Sequence, residues 1–185
     1  MAQRSKLTAI HHLILTKASW RIFLLLFFLL NIISCKLFRK KNKSHPIEVE
    51  STGKFNQRTI KNIIATARSY YGVPYKTGGT DGRGMDCSGL LITCFSNAGF
   101  KLPRVSWQQA EVGEEVNLVD ARPGDLVFFV TSKGGGIINH AGMITEVHSQ
   151  DEILFIHSSS SRGVIEDNLM KNFWKSSFVR VMRPF

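Results

Sequence analysis

An α+β fold, with N-terminal helices packed on an antiparallel β-sheet, is what this 185-residue chain predicts. Three observations lead there. Residues 56–71, NQRTIKNIIATARSYY, repeat apolar side chains at helical spacing. Residues 87–98, CSGLLITCFSNA, do so again. The texture then changes to short apolar runs between turn signals: DLVFFV (125–130), HAGMITEV (140–147), EILFIH (152–157) and FVRVMR (178–183). Helices followed by strands make an α+β order rather than alternating βαβ units.

The N-terminal region comes first. Lys17 and Arg21 precede IFLLLFFLLNII (22–33), an apolar run of 12 residues that leads into Ser34-Cys35. A bilayer-spanning helix needs about 20 residues, whereas the core of a secretory signal needs about 7–15. The ending Ile32-Ile33-Ser34-Cys35 resembles a bacterial lipobox, which implies a signal peptide over 1–35 and an acylated N-terminus at Cys35. An uncleaved signal anchor is the competing reading, weakened by Asn31 and the short core. Residues 36–55 are polar, charged and without pattern, as expected of a flexible tether. The domain proper is expected over 56–185.

Charge follows the same division. Residues 1–55 hold 10 Lys/Arg against 2 Glu, and residues 56–185 hold 14 Lys/Arg against 12 Asp/Glu. The net charge of +10 therefore sits mostly in the N-terminal region. A nucleic-acid-binding face would need that charge on the folded part, so nucleic acid is not an expected partner.

Within the domain, the first helix places Ile60, Ile63, Ile64, Ala67 and Tyr71 on one face, with Gly72 and Pro74 ending it. Residues 72–86 form a Gly-rich loop, but no Gly-Lys-Ser/Thr follows that would cradle phosphate. Asp86 is placed to cap the second helix, whose apolar face carries Cys87, Leu90, Leu91, Cys94, Phe95 and Ala98. Ser106 and Gln109 have the spacing of a capping box.

Three cysteines cannot form a fully paired framework. On one helix, Cys87 and Cys94 would have Cα atoms about 10 Å apart, beyond the roughly 7 Å a disulfide spans. Cys87 begins a helix, where free N–H groups and the macrodipole lower a thiol pKa, so it is the candidate nucleophile. Cys94 reads as core packing.

Six histidines are present, and His140, His148 and His157 lie within the domain. A hairpin with His148–Ser149 as its loop pairs 143 with 154 and 140 with 157, with opposed Cβ atoms about 5 Å apart. A turn at SQDE would shift that register. The first arrangement makes His140 a general base and His157 the group that orients it. Zinc would need about four N/S ligands at set spacing, which one cysteine and two separated histidines do not provide.

Five segments then recur in order over 72–164: GVPYKTGGTDGRGMDCSGLL, LPRVSWQQ, RPGDLVFF, NHAGMI and FIHSSSSRGV. Together they resemble the NlpC-type family of papain-like cysteine peptidases. FWKSSFVRVMRP extends the likeness to the C-terminus, and the lipobox points within the family to Spr-type lipoprotein murein endopeptidases. The resemblance implies a circularly permuted papain-like fold and hydrolysis of amide bonds in peptidoglycan stem peptides or cross-links. It makes Cys87 the nucleophile, His140 the base and His157 the third triad residue. It sets Tyr75 at the oxyanion region, and Asp86 and Ser88 at a substrate amine. Arg104 is a candidate for a stem-peptide carboxylate. Thr77 replaces the usual aromatic before the Gly-Gly pair, and the segment between the histidines is long, with an extended turn.

The resulting expectation is a monomeric, lipid-anchored, periplasm-facing cysteine endopeptidase on the outer membrane, needing no metal or organic cofactor. A thiol acyltransferase or amidase on the same scaffold, and a wall-binding module without turnover, are the alternatives.

Overall fold

The computed structural model describes residues 56–132 and 136–185. The expected signal peptide, Cys35 and the tether lie outside the described residues.

Helix α1 (Gln57–Ser69) begins at Asn56, whose Oδ1 accepts the N–H groups of Arg58 at 3.0 Å and Thr59 at 3.1 Å. It buries the predicted stripe of Ile60, Ile63, Ile64 and Ala67. Tyr71 departs from that stripe. It lies beyond the helix end, 51% exposed, and its hydroxyl accepts the Glu166 N–H at 2.9 Å.

The Gly-rich loop contains a minimal hairpin of β1 (Thr80–Asp81) and β2 (Gly84–Met85), and Tyr75 bridges to Met85. Helix α2 (Cys87–Asn97) follows, capped by Asp86 as predicted. A Cβ at Gly89 would stand 2.1 Å from the Gly79 carbonyl oxygen, so the first turn of α2 rests directly on the loop backbone.

Helix α3 (Ser106–Gln109) corrects the capping-box expectation. Its N-cap is Val105, so Ser106 is already the first helical residue. The Ser106 hydroxyl faces the Ile138 carbonyl instead, and Gln109 donates to the carbonyls of Pro103 (2.9 Å) and Ser88 (3.2 Å). Gln109 thereby ties α3 to the start of α2.

The remaining elements are β3 (Glu114–Val116), a 3₁₀ turn (Leu118–Asp120), β4 (Leu126–Phe129), β5 (His140–Ser149), β6 (Glu152–Ser159), β7 (Gly163–Asn168), α4 (Asn172–Ser177) and β8 (Phe178–Arg183). The six strands β3 to β8 form one antiparallel sheet in the order β3-β8-β4-β5-β6-β7. This is the predicted α+β class.

Burial of both sheet faces explains why β4 reads as an unbroken apolar run. Leu126 and Phe128 join Ile63, Leu90, Leu91 and Phe95 under the helices. Val127 and Phe129 join Ile144, Phe155 and Val181 on the opposite face, with Trp174 of α4 packed against them. The turn before β4 is locked by Asp125, which is buried and accepts both the Arg122 N–H (2.9 Å) and a two-pronged contact from Arg183 (3.0 and 2.9 Å).

The β5–β6 hairpin also differs from its predicted register. Met143 pairs with Ile156 and Ser149 with Glu152, so Gln150–Asp151 is the turn. The extra length is absorbed by two bulges within β5, between Ile144 and Glu146 and between Val147 and Ser149, rather than by an extended turn.

Candidate active site

Cys87 opens α2 and is 7% exposed. The segment before it is pinned twice: Asp86 N–H donates to the Gly79 carbonyl at 3.2 Å, and the Ser158 hydroxyl of β6 donates to the Met85 carbonyl at 2.7 Å. The second bond fixes the cysteine against the strand that carries His157.

Burial pushes the Cys87 thiol up, and the Asp86 carboxylate adds to this. The N–H groups of Ala141, Ser88 and Cys87 act on the sulfur in the opposite sense without overcoming burial. The expectation of a lowered thiol pKa is therefore corrected. The helix start supplies the anion-stabilising donors, but desolvation outweighs them and the resting group is a neutral thiol. Such a thiol needs a base. The Ala141 N–H that acts on the sulfur belongs to the residue after His140, the first residue of β5.

His140 begins β5, and its Nε2 lies 3.0 Å from Nδ1 of the fully buried His157. With Met143 opposite Ile156, Gly142 falls opposite His157, and His140 is the diagonal neighbour rather than the directly opposed one. The predicted pair forms, but through a register displaced by two, which keeps both side chains on one face. Gly142 permits it, because a Cβ there would lie 2.6 Å from the Phe155 ring and 3.2 Å from His157 Cβ.

Both histidines sit in an aromatic wall. The Trp174 ring stacks on His140 at 5.3 Å, and Phe155 stacks on His157 at 4.9 Å. Burial pushes His140 down to about 3, helped by His157. His157 is also lowered by burial, with Asp167 opposing.

Asp167 was not foreseen. It lies on β7 opposite Phe155, one diagonal step from His157. Its Oδ2 lies 3.2 Å from His157 Nε2 and accepts the Trp174 indole N–H at 3.1 Å, while Arg162 forks onto both oxygens at 2.7 and 3.3 Å. Desolvation alone would raise this carboxyl; the bonds from His157, Arg162 and Trp174 hold it well below the usual carboxylate range. The only sequence signal is an acidic residue ten positions after His157, uninformative until β7 is known to be a strand.

Asp86 is heavily engaged. It accepts the N–H groups of Gly89 and Gly78, both at 2.7 Å, the Ser88 hydroxyl at 3.1 Å, and Arg104 at 2.7 and 3.1 Å. Arg104 also donates to Ser88 Oγ at 2.9 Å. Desolvation would raise Asp86, but Arg104 and the loop amides lower it. Five donors use the roughly four lone-pair sites of a carboxylate, so Asp86 keeps no free acceptor for a substrate amine.

Tyr75 and His140 line the same cleft. The Tyr75 hydroxyl is raised by desolvation and by the nearby Cys87, and the Thr77 side chain is within hydrogen-bonding reach of it. The cleft, of about 540 Å³, is lined also by Asn139, Arg162, Asp167 and Trp174. Cys94 is buried and pushed up to about 12 by desolvation, a core residue as predicted. Among the described residues, no cluster of three or more His, Cys, Asp or Glu is arranged to hold a metal ion.

This geometry has known counterparts. The NlpC/P60 family matches residues 72–183. The chain is 38% identical over 125 residues to the Probable endopeptidase NlpC of Escherichia coli strain K12, covering 67% of this chain and 77% of that protein. It is 34% identical over 134 residues to the Murein DD-endopeptidase MepS/Murein LD-carboxypeptidase of the same strain, covering 69% and 67%. A crystal structure from Staphylococcus aureus subsp. aureus Mu50, described as similar to lipoprotein, NLP/P60 family, aligns with a TM-score of 0.62 and 28% identity over 74% of this chain and 45% of that one.

Proposed function

The chain belongs to the NlpC/P60 family, and on that premise we propose that it is a cysteine endopeptidase that hydrolyses amide bonds in peptidoglycan stem peptides or cross-links. Cys87 is the nucleophile, His140 the general base and His157 the third member of the triad. The observation that carries this reading is the 3.0 Å contact between His140 and the fully buried His157, in a fold that buries Cys87 at the start of α2.

The reaction follows from the resting charges. Thiol and imidazole are both neutral, so proton transfer from Cys87 to His140 accompanies attack on the substrate carbonyl. The oxyanion that forms is met by the Cys87 N–H and the Tyr75 hydroxyl. Collapse of this intermediate breaks the C–N bond, and the imidazolium of His140 returns its proton to the departing amine. Water, deprotonated by His140, then cleaves the thioester and regenerates the thiol.

Arg104 covers Asp86, which supports cleavage of an internal bond over one beside a free N-terminal ammonium. The Arg104 guanidinium, 41% exposed, retains capacity for a substrate carboxylate. Acylation at Cys35 would hold the enzyme at the outer membrane facing the periplasm, with residues 36–55 as tether. Digestion of defined muropeptides with wild type and Cys87→Ala tests the proposal. Hydrolysed stem peptides from wild type and none from a folded Cys87→Ala variant are expected. Full turnover by the variant, or an acyl-transferred product, would overturn it.

A further inference from the structure

Each neutral imidazole in the His140–His157 pair carries one proton, and a single hydrogen bond joins them. Two arrangements satisfy that bond equally. In one, His140 Nε2–H donates to His157 Nδ1, and His140 Nδ1 keeps a lone pair. In the other, His157 Nδ1–H donates to His140 Nε2, and the His140 proton sits on Nδ1. Only the first leaves His140 a ring nitrogen able to take the Cys87 proton. The two histidines alone do not choose between them.

The far end of His157 chooses. A carboxylate held ionised accepts and never donates, so Asp167 Oδ2 at 3.2 Å demands a proton on His157 Nε2. That proton leaves Nδ1 of His157 unprotonated, which in turn draws the His140 proton onto Nε2. The opposite arrangement would set a nitrogen lone pair against a carboxylate oxygen. We infer that Asp167 is a positioning residue that selects the catalytically competent tautomer of His140, acting through His157 across three adjacent strands.

The surroundings keep Asp167 in this role. Arg162 neutralises its charge from the turn before β7, and the Trp174 N–H of α4 fixes Oδ2 in direction. His157 and Arg162 are the ionisable groups bonded to it, and Tyr75, His140 and Lys171 line the same cleft. When His140 takes up a proton during attack, the same carboxylate favours the cationic state of the pair. The inference rests on the peptidase reading of Cys87 and His140, but its first readout needs no substrate.

The test uses protein labelled with ¹⁵N at histidine. Long-range ¹H–¹⁵N correlations at neutral pH report each tautomer directly, and iodoacetamide alkylation of Cys87 across pH reports the base. Wild type should show both histidines protonated at Nε2. Asp167→Ala should show His157 moving toward the Nδ1–H form, with alkylation at neutral pH slowed about 10- to 100-fold. Asp167→Asn, isosteric and so the safer fold, should show the same change at smaller amplitude. If both variants keep Nε2–H on both histidines and the wild-type alkylation profile, Asp167 does not select the tautomer. Failure of the peptidase reading would show separately, as hydrolysis persisting in Cys87→Ala.

Discussion

Asp86 and Asp167 stand at opposite ends of the site, each tied to an arginine by a 2.7 Å contact and each held ionised. They act on the reacting pair in opposite directions. Asp86 is adjacent to Cys87, and its charge raises the thiol, working against thiolate formation. Asp167 lies behind His157, and its charge favours protonated imidazole there. One carboxylate is needed for construction, since it caps α2 and holds the loop at Gly78. The other serves the chemistry. Identical ion pairs thus differ in function because of what lies on their far side, and Arg104 limits the electrostatic cost of the structural one.

Breaking the histidine limb should have the largest effect. His140→Ala is expected to lower turnover of muropeptides by about 10³-fold or more while leaving the Asp86–Arg104 network intact, at a cost of about 1–3 kcal/mol from the lost stacking on Trp174 and the unpaired His157 Nδ1, as kinetics and calorimetry would show. Breaking the cysteine limb should reverse that balance. Asp86→Ala removes a buried helix cap and several hydrogen bonds, so denaturant titration should report a loss of about 2–4 kcal/mol. The thiol of any folded fraction should titrate lower than in wild type, because a neighbouring negative charge is gone.

Acid should weaken the histidine end before the aspartates. His140 and His157 have folded-state pKa values below the ordinary 6.5. As pH falls through 6.5, the unfolded chain binds protons that the folded chain refuses, and stability drops by about 1.4 kcal/mol per pH unit for each histidine. For His140 the loss continues down to about 3. The depressed carboxylates add their own loss only below about pH 4. A melting temperature that stays flat from pH 7.5 to pH 5 would contradict the neutral buried pair.

Smaller effects sharpen the contrast. Arg104→Gln leaves Asp86 less well neutralised beside the thiol, so alkylation of Cys87 at neutral pH should slow by about two- to fivefold. Cys94→Ala should cost about 1 kcal/mol and leave the Cys87 alkylation profile unaltered, since Cys94 only fills the core.

Local pattern carried much of this site. The α2 stripe, the Asp86 cap and the separation of Cys87 from Cys94 are properties of one helix and could be read from spacing. His140 and His157 were legible as a pair because their separation suits a hairpin, even though the predicted register was wrong. Two bulges in β5 each added a residue, and the two shifts together returned both side chains to one face. Ser106 and Gln109 matched a motif that the helix start, one residue earlier than expected, prevented from forming. β7 escaped notice because its outer residues are polar and only Gly163 and Val164 are buried.

By itself the sequence determined the α+β class, the place of Cys87 at a helix start and the choice of His140 and His157 as its candidate partners. Periodicity and capping are set by neighbours within a few residues, so they survive without any knowledge of the fold. Tertiary structure alone decided the thiol's resting charge, the commitment of Asp86 to Arg104 and the arrival of Asp167 behind His157. Each depends on burial or on pairing between distant segments, and desolvation and strand register exist only once those segments have packed.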